Sequence, residues 1–101
     1  MKNMHYVYVL KKPESSMVYI GYSANLKQRI AEHNRSANHR GSLLVYYEAY
    51  GDETDARERE SQLKRYGAAR GHLKARIRRS ITQVLESAGE ARSQSPRECR
   101  P

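Results

Sequence analysis

The chain has 101 residues, of which 38% are hydrophobic and 30% charged, and its 19 Lys and Arg against 11 Asp and Glu give a net charge of +8. This length supports one domain with one modest core. No apolar run approaches the roughly 20 residues of a transmembrane helix, and the N-terminus lacks the features of a signal peptide. The single cysteine, Cys99, excludes an internal disulfide and a Cys-based zinc site, so we expect a cytoplasmic protein without a disulfide partner.

The N-terminal half predicts a β-hairpin, a helix and a third strand. Residues 5–11 alternate and are rich in Val and Tyr, which suits a pleated strand. A short turn containing Pro13 separates them from a second strand, so the two strands should pair antiparallel. Ser23 or Asn25 can cap the helix that follows. In chain order, the predicted elements are strands at 5–11 and 18–22, a helix beginning near residue 26, and a strand at 43–50.

The C-terminal half predicts two helices and a tail. The first spans residues 51–67, with Asp52 or Thr54 as its cap and Gly67 as its stop. The second begins around residues 70–72 and ends near Leu85, with an apolar stripe repeated every four residues. Residues 86–101 have little to bury and are predicted to be a flexible tail. The prediction is a mixed α/β (α+β) fold in a single domain, residues 1–85: a small three-stranded antiparallel sheet flanked by helices, in the order β-β-α-β-α-α.

Basic residues are concentrated between Lys64 and Arg79, where seven Lys and Arg occur without an Asp or Glu. A patch of one sign is typical of proteins that bind polyanions, most often nucleic acid. A surface that merely keeps the protein soluble is the alternative. The predicted nucleic-acid contacts in this patch are Lys64, Arg65, Arg70, Lys74 and Arg76.

Strand periodicity separates two groups of side chains in the predicted hairpin. Tyr8 lies on the face opposite Val7 and Val9, and Tyr19 shares a face with Gly21. The aliphatic residues can then form the core while the tyrosines meet across the hairpin. Because Gly21 has no side chain, we expect it to leave space beside Tyr19 for a substrate. Four further tyrosines are interpreted as ordinary strand residues: Tyr6, Tyr46, Tyr47 and Tyr50.

The ordered set of tyrosines, glycine and arginine resembles the GIY-YIG nuclease domain. "YVY" at 6–8 stands in the place of the first tripeptide, and "YIG" at 19–21 matches the second literally. Arg29 follows, and "EHN" at 32–34 supplies a His four residues later on the same helical face. The later "LVYYEAY" and "DARERESQLK" are similar to the third strand and acidic helix of small stand-alone bacterial members. The resemblance covers about residues 6–77.

The resemblance implies a metal-dependent DNA endonuclease with little sequence specificity, able to act in DNA repair or recombination. Tyr8 would be the base or proton relay, and Tyr19 would orient the phosphate or the water. Arg29 would stabilise charge on the phosphate, and His33 would support the tyrosines. Glu60 would hold one divalent metal ion, Mg²⁺ or alternatively Mn²⁺.

Two conditions accompany these roles. Glu58 is the competing carboxylate, but Glu60 lies only three residues before the apolar Leu63 and so nearer the edge of the core. A free Tyr has a pKa near 10, so Tyr8 needs a nearby cation to act as an efficient base.

Two other classes of function stay open. Many family members have an Asn near the end of the domain, and this chain has none after Asn38. A non-catalytic nucleic-acid-binding module on the same scaffold is therefore the first alternative. A basic RNA- or ribosome-associated protein without an active site is the second.

Overall fold

The structure, a computed structural model, describes residues 4–35 and 41–93. Its elements confirm the mixed α+β class, a three-stranded antiparallel sheet with helices. Within the described ranges no helix is long and apolar enough to cross a membrane. In chain order the elements are β1 (His5–Lys11), β2 (Val18–Ser23), α1 (Leu26–Arg35), β3 (Leu43–Tyr50), α2 (Glu53–Arg65), α3 (Gly67–Arg76) and α4 (Arg78–Ser93).

The sheet has the order β2-β1-β3, so β1 is its central strand. Tyr8 lies opposite Gly21 of β2 and opposite Tyr47 of β3, and Leu10 lies opposite Tyr19. Residues directly opposite each other in a sheet point to the same side. One side of the sheet, named here the tyrosine face, therefore carries Tyr6, Tyr8, Tyr19 and Tyr47.

The other side of the sheet holds the hydrophobic core. Val7 and Val9 are 1% exposed there and cluster with residues of α2 and α3. Ala56 and Leu63, two turns apart on α2, are fully buried against them. Burying a side chain of the size of Leu63 stabilises the fold by about 1.5–3 kcal/mol. This helix begins where expected, because the side chain of Asp52 accepts a hydrogen bond from the Thr54 amide.

The predicted last helix is two helices in the structure. Gly67 begins α3 and does not stop the preceding helix as predicted, because α2 ends at Arg65 with Tyr66 as its cap. The chain changes direction at Ile77, whose φ of −103° and ψ of 20° are not helical. The reason is packing: α3 lies against α2, whereas α4 lies against β3. Ile77 is buried at this corner. The apolar stripe therefore continues from α3 into α4, which is why the sequence predicts a single helix there.

Helix α4 continues past the predicted end at Leu85 to Ser93. Residues 94–101, including Cys99, lie outside the described residues. The flexibility of the tail therefore stays a prediction.

Candidate active site

A tight turn between β2 and α1 fixes where α1 starts over the tyrosine face. The Ser23 hydroxyl accepts from the Asn25 amide and donates to the Asn25 carbonyl, both at 2.9 Å. Asn25 then caps α1, because its Oδ1 accepts from the Gln28 amide at 3.1 Å. Both candidate caps are thus used, one for the turn and one for the helix. The side chain of His33, two turns further along α1, reaches back to the sheet.

Tyr8, Tyr19 and His33 form a cluster of three rings on the tyrosine face. The hydroxyl of Tyr8 and Nε2 of His33 are hydrogen-bonded at 2.8 Å. The His33 ring lies 5.7 Å from the Tyr8 ring and 5.3 Å from the Tyr19 ring, edge-on to both. Tyr8 is 1% exposed and His33 8%, whereas Tyr19 is 38% exposed. The cluster therefore has a buried polar pair and one tyrosine that meets solvent.

Gly21 makes room for the Tyr8 ring. A Cβ atom at this position would lie 2.4 Å from both Cζ and Oη of Tyr8. No side chain can be tolerated so close without movement. The expectation that Gly21 leaves space for a substrate is therefore corrected, because the phenol of Tyr8 fills that space. Gly21 acts instead by letting the Tyr8 hydroxyl reach His33.

The environment of Tyr8 favours its neutral form. Burial raises the pKa of Tyr8 to about 12, and the negative charge of a Tyr19 phenolate raises it too. The Arg29 guanidinium lowers the pKa, but Glu60 and Glu32 oppose it. With a pKa of about 12, roughly one Tyr8 in 100,000 is ionised at pH 7. As an efficient base, Tyr8 would need a cation that lowers its pKa by more than burial raises it, and Arg29 alone does not do so.

Arg29 lies at the solvent side of the cluster. Its side chain is 47% exposed, and its Nε is 3.6 Å from Oε1 of Glu32 in an exposed ion pair. Exposed pairs of this kind are weak, about 0–1 kcal/mol. An incoming phosphate can therefore replace Glu32 as the partner of Arg29 at little cost.

Glu60 is a carboxylate of α2 whose charge acts on Tyr8 of this cluster. Its side chain is 19% exposed, and Oε2 pairs with Nζ of Lys64 at 3.1 Å. It is close enough to raise the pKa of Tyr8, whereas Glu58 is exposed. Among the described residues no three His, Cys, Asp or Glu group together as a complete metal site. Glu60 is mostly buried and its carboxylate already pairs with the Lys64 ammonium. Such a carboxylate fits Mg²⁺, which often uses one protein carboxylate with water and substrate phosphate.

The five basic residues predicted to contact nucleic acid have different partners. Lys64 and Arg65 line a groove of about 430 Å³ beside Glu60. Nη1 of Arg70 donates to the carbonyls of Leu63 and Lys64, at 2.8 and 3.1 Å, and so caps the end of α2. The remaining two are exposed on α3: Nζ of Lys74 lies 3.4 Å from the Ser16 carbonyl, and Arg76 lies close enough to Tyr46 to affect its pKa.

A second charged cluster was not expected from the sequence. Nε and Nη2 of Arg59 on α2 donate to the carboxylate of Glu48 on β3, at 3.0–3.3 Å. The hydroxyls of Tyr46 and Tyr50 donate to the same carboxylate. The spacing of Tyr46, Glu48 and Tyr50 places them on one face of β3, but it does not indicate that their partner is Arg59 of α2. The cluster joins α2 to the sheet on the core side, away from the tyrosine face.

Comparison with known proteins identifies the class to which this arrangement belongs. The family model of the GIY-YIG catalytic domain matches residues 4–74, from the start of β1 into α3. This chain belongs to that family of nuclease domains.

Among curated proteins, the chain is 35% identical over 68 residues to UPF0213 protein SH2523 of Staphylococcus haemolyticus. It is 34% identical over 68 residues to UPF0213 protein SAV0488 of Staphylococcus aureus. Each match covers 61% of this chain and 82% of the relative. No solved structure matches the chain.

Proposed function

We propose that this protein is an endonuclease that hydrolyses phosphodiester bonds of DNA with the help of one divalent metal ion. The observation that carries the proposal is the buried hydrogen bond between Tyr8 and His33, beside an exposed Arg29 and within electrostatic range of Glu60. A stripe of tyrosines that only built a sheet would not need a histidine on this face. Magnesium as the metal, repair or recombination as the setting and the cytoplasm as the location are parts of the same proposal.

In this mechanism Tyr8 relays a proton as a neutral hydroxyl. An attacking water gives a proton to the Tyr8 oxygen while the Tyr8 hydroxyl gives its own proton to Nε2 of His33, 2.8 Å away. The net result is a proton on His33 and a hydroxide-like nucleophile at phosphorus, without a free phenolate. This route suits a tyrosine with a pKa of about 12, for which prior ionisation is rare.

The other residues position and stabilise the phosphate. Tyr19, partly exposed at the edge of the cluster, orients the phosphate or the water. Arg29 stabilises the charge that builds on the phosphate oxygens, since a guanidinium is a cation that offers forked donors. Glu60 would hold the metal ion, which would supply Lewis-acid assistance to the leaving oxygen.

The exposed basic residues bind the DNA backbone in this proposal. Lys64 and Arg65 lie next to Glu60 and would grip phosphates close to the cleaved bond. Contacts to phosphate carry little sequence information, so we expect weak sequence preference.

The test is nicking of supercoiled plasmid with Mg²⁺, with Mn²⁺ and with chelator, using the native protein, Glu60→Gln and Glu58→Gln. Glu58 is a matched control because it lies on the same helix, two residues away, and is exposed. We expect metal-dependent nicking that Glu60→Gln abolishes and Glu58→Gln retains. Nicking that survives Glu60→Gln would contradict the metal assignment. Salt-sensitive DNA binding without nicking under any condition would support the non-catalytic alternative.

A further inference from the structure

The tyrosine face extends beyond the candidate active site into a groove between α1 and β3. The groove has a volume of about 610 Å³. Its floor is the sheet, and one wall is the side of α1 that carries Leu26 and Ile30. The lining is mostly apolar and aromatic, with one cation and no carboxylate, and it includes Tyr6, Tyr47, Asn25 and Lys27.

Tyr47 is the most accessible ring of this groove. Its side chain is 51% exposed, although it lies opposite the buried Tyr8 of the central strand β1. It meets Tyr6 edge-on, with the ring centroids 5.8 Å apart and the planes at 70°. An edge-on contact does not use up both faces of a ring. A flat, apolar partner can therefore stack on Tyr47.

We propose that this groove binds an unpaired nucleobase of the DNA strand that is cut, with Tyr47 as the stacking platform. The inference rests on the proposed endonuclease function for the position of the cut, though the binding itself does not require cutting. A base within a duplex is already stacked on both faces, so only an unpaired or displaced base can use Tyr47. The substrate class is DNA with a single-stranded or distorted segment next to the cleaved phosphate.

Charge and position both favour a nucleotide over a purely apolar occupant. Lys27 stands at the groove with no acidic residue in the lining, so the phosphate attached to a bound base would be attracted. Oδ1 of Asn25 is used by the helix cap, which leaves its Nδ2 as a donor for a base edge.

Helix α1 borders the groove and the candidate active site alike. It supplies Ile30 to the groove and the neighbouring Arg29 to the site. A helix is about 10 Å across, so the base would come from within a few nucleotides of the cut.

The experiment measures equilibrium binding in chelator, where no cutting occurs, to a single-stranded oligonucleotide and to the matching duplex. The variants are Tyr47→Ala, Tyr47→Phe and Tyr66→Ala. Tyr66 is a control of the same type and similar exposure, 54%, at the junction of α2 and α3 and outside the groove. A second set of oligonucleotides carries one abasic position, moved along the strand.

For single-stranded DNA we expect Tyr47→Ala to bind about 5- to 150-fold more weakly, the range of one lost stacking contact. Tyr47→Phe should bind like the native protein, and duplex affinity should not change. The salt dependence should stay the same, because no phosphate contact is lost. One abasic position should weaken the native protein by the same factor and leave Tyr47→Ala unaffected.

Equal single-strand affinity of Tyr47→Ala and the native protein would overturn the inference, as would a loss confined to Tyr66→Ala. A shift of Tyr47→Ala from dimer to monomer, with unchanged DNA affinity, would instead assign the groove to a second copy of the chain. If Tyr47→Ala does not fold, Tyr47→Trp decides, since the native chain has no Trp. Its fluorescence should be quenched by single-stranded DNA and not by an oligonucleotide abasic at the identified position.

The same measurements separate this inference from the proposed function. Binding that depends on Tyr47, with no cutting of any substrate, would keep the groove and contradict the endonuclease. Cutting that is insensitive to Tyr47 and to abasic positions would keep the endonuclease and contradict the groove.

Discussion

Replacing Gly21 with Ala tests whether this glycine exists to seat Tyr8. The new Cβ would lie 2.4 Å from Cζ and Oη of Tyr8, whereas ordinary contacts begin near 3.4 Å, so the ring must move by about 1 Å. Tyr8 is 1% exposed and has no open space to enter. Overpacking of this kind costs about 1–3 kcal/mol of stability. A misplacement of about 1 Å in a reacting group costs on the order of 100-fold in rate.

The assays are urea unfolding and single-turnover nicking of plasmid, with Gly51→Ala as the control. A Cβ at Gly51 meets nothing within 4 Å, and its φ is not positive, so this variant should match the native protein. In a Tyr8→Leu background, Gly21→Ala should cost much less stability than in the native protein, because the blocking ring is gone. Native stability and native nicking in Gly21→Ala alone would refute the reasoning.

Two further predictions concern charged residues that lie outside the cluster of Tyr8, Tyr19 and His33. Burial raises the pKa of Glu48, but hydrogen bonds from Arg59 and two tyrosines lower it further, so its folded pKa lies below the usual 4.5. The charged form of Glu48 therefore stabilises the fold at pH values above 4.5. This contribution to the free energy of unfolding disappears as the pH falls through the pKa of Glu48 in the folded protein. By urea unfolding, Glu48→Gln should be about 1.5–3 kcal/mol less stable at pH 7 and should lose less stability on acidification; equal pH profiles would contradict this. Arg65→Gln should reduce the slope of log K against log salt for DNA binding by about 0.9, whereas Arg70→Gln should lower the melting temperature and leave that slope unchanged. An unchanged melting temperature with a reduced slope for Arg70→Gln would show that it contacts phosphate.

The alternation of residues in the first two strands carries enough information to predict the tyrosine face. Val7 and Val9 alternate with Tyr8, and a period of two permits only one division between core and opposite face. The register that places Gly21 opposite Tyr8 follows from the hairpin. Alternation does not give the direction in which a side chain extends within its face of the sheet. The sequence therefore predicted open space for a substrate beside Gly21, whereas the Tyr8 ring occupies that space.

Features that depend on how the helices fold back on one another and on the sheet could not be predicted. Arg70 reads as one more cation in a basic run, yet its guanidinium closes the end of α2. Ile77 continues an apolar stripe, yet it is the corner where packing on α2 gives way to packing on β3. The balance of burial and charge on Tyr8 likewise depends on four residues from β2, α1 and α2.

The most direct test of the account is Tyr8→Phe in single-turnover nicking with Mg²⁺. The variant keeps the ring that fills the space at Gly21 and removes only the hydroxyl bonded to His33. We predict a loss of at least about 100-fold in the nicking rate, as for removal of a general acid–base group, with DNA affinity in chelator unchanged. Nicking at the native rate by folded Tyr8→Phe would contradict the claim that this hydroxyl carries the proton.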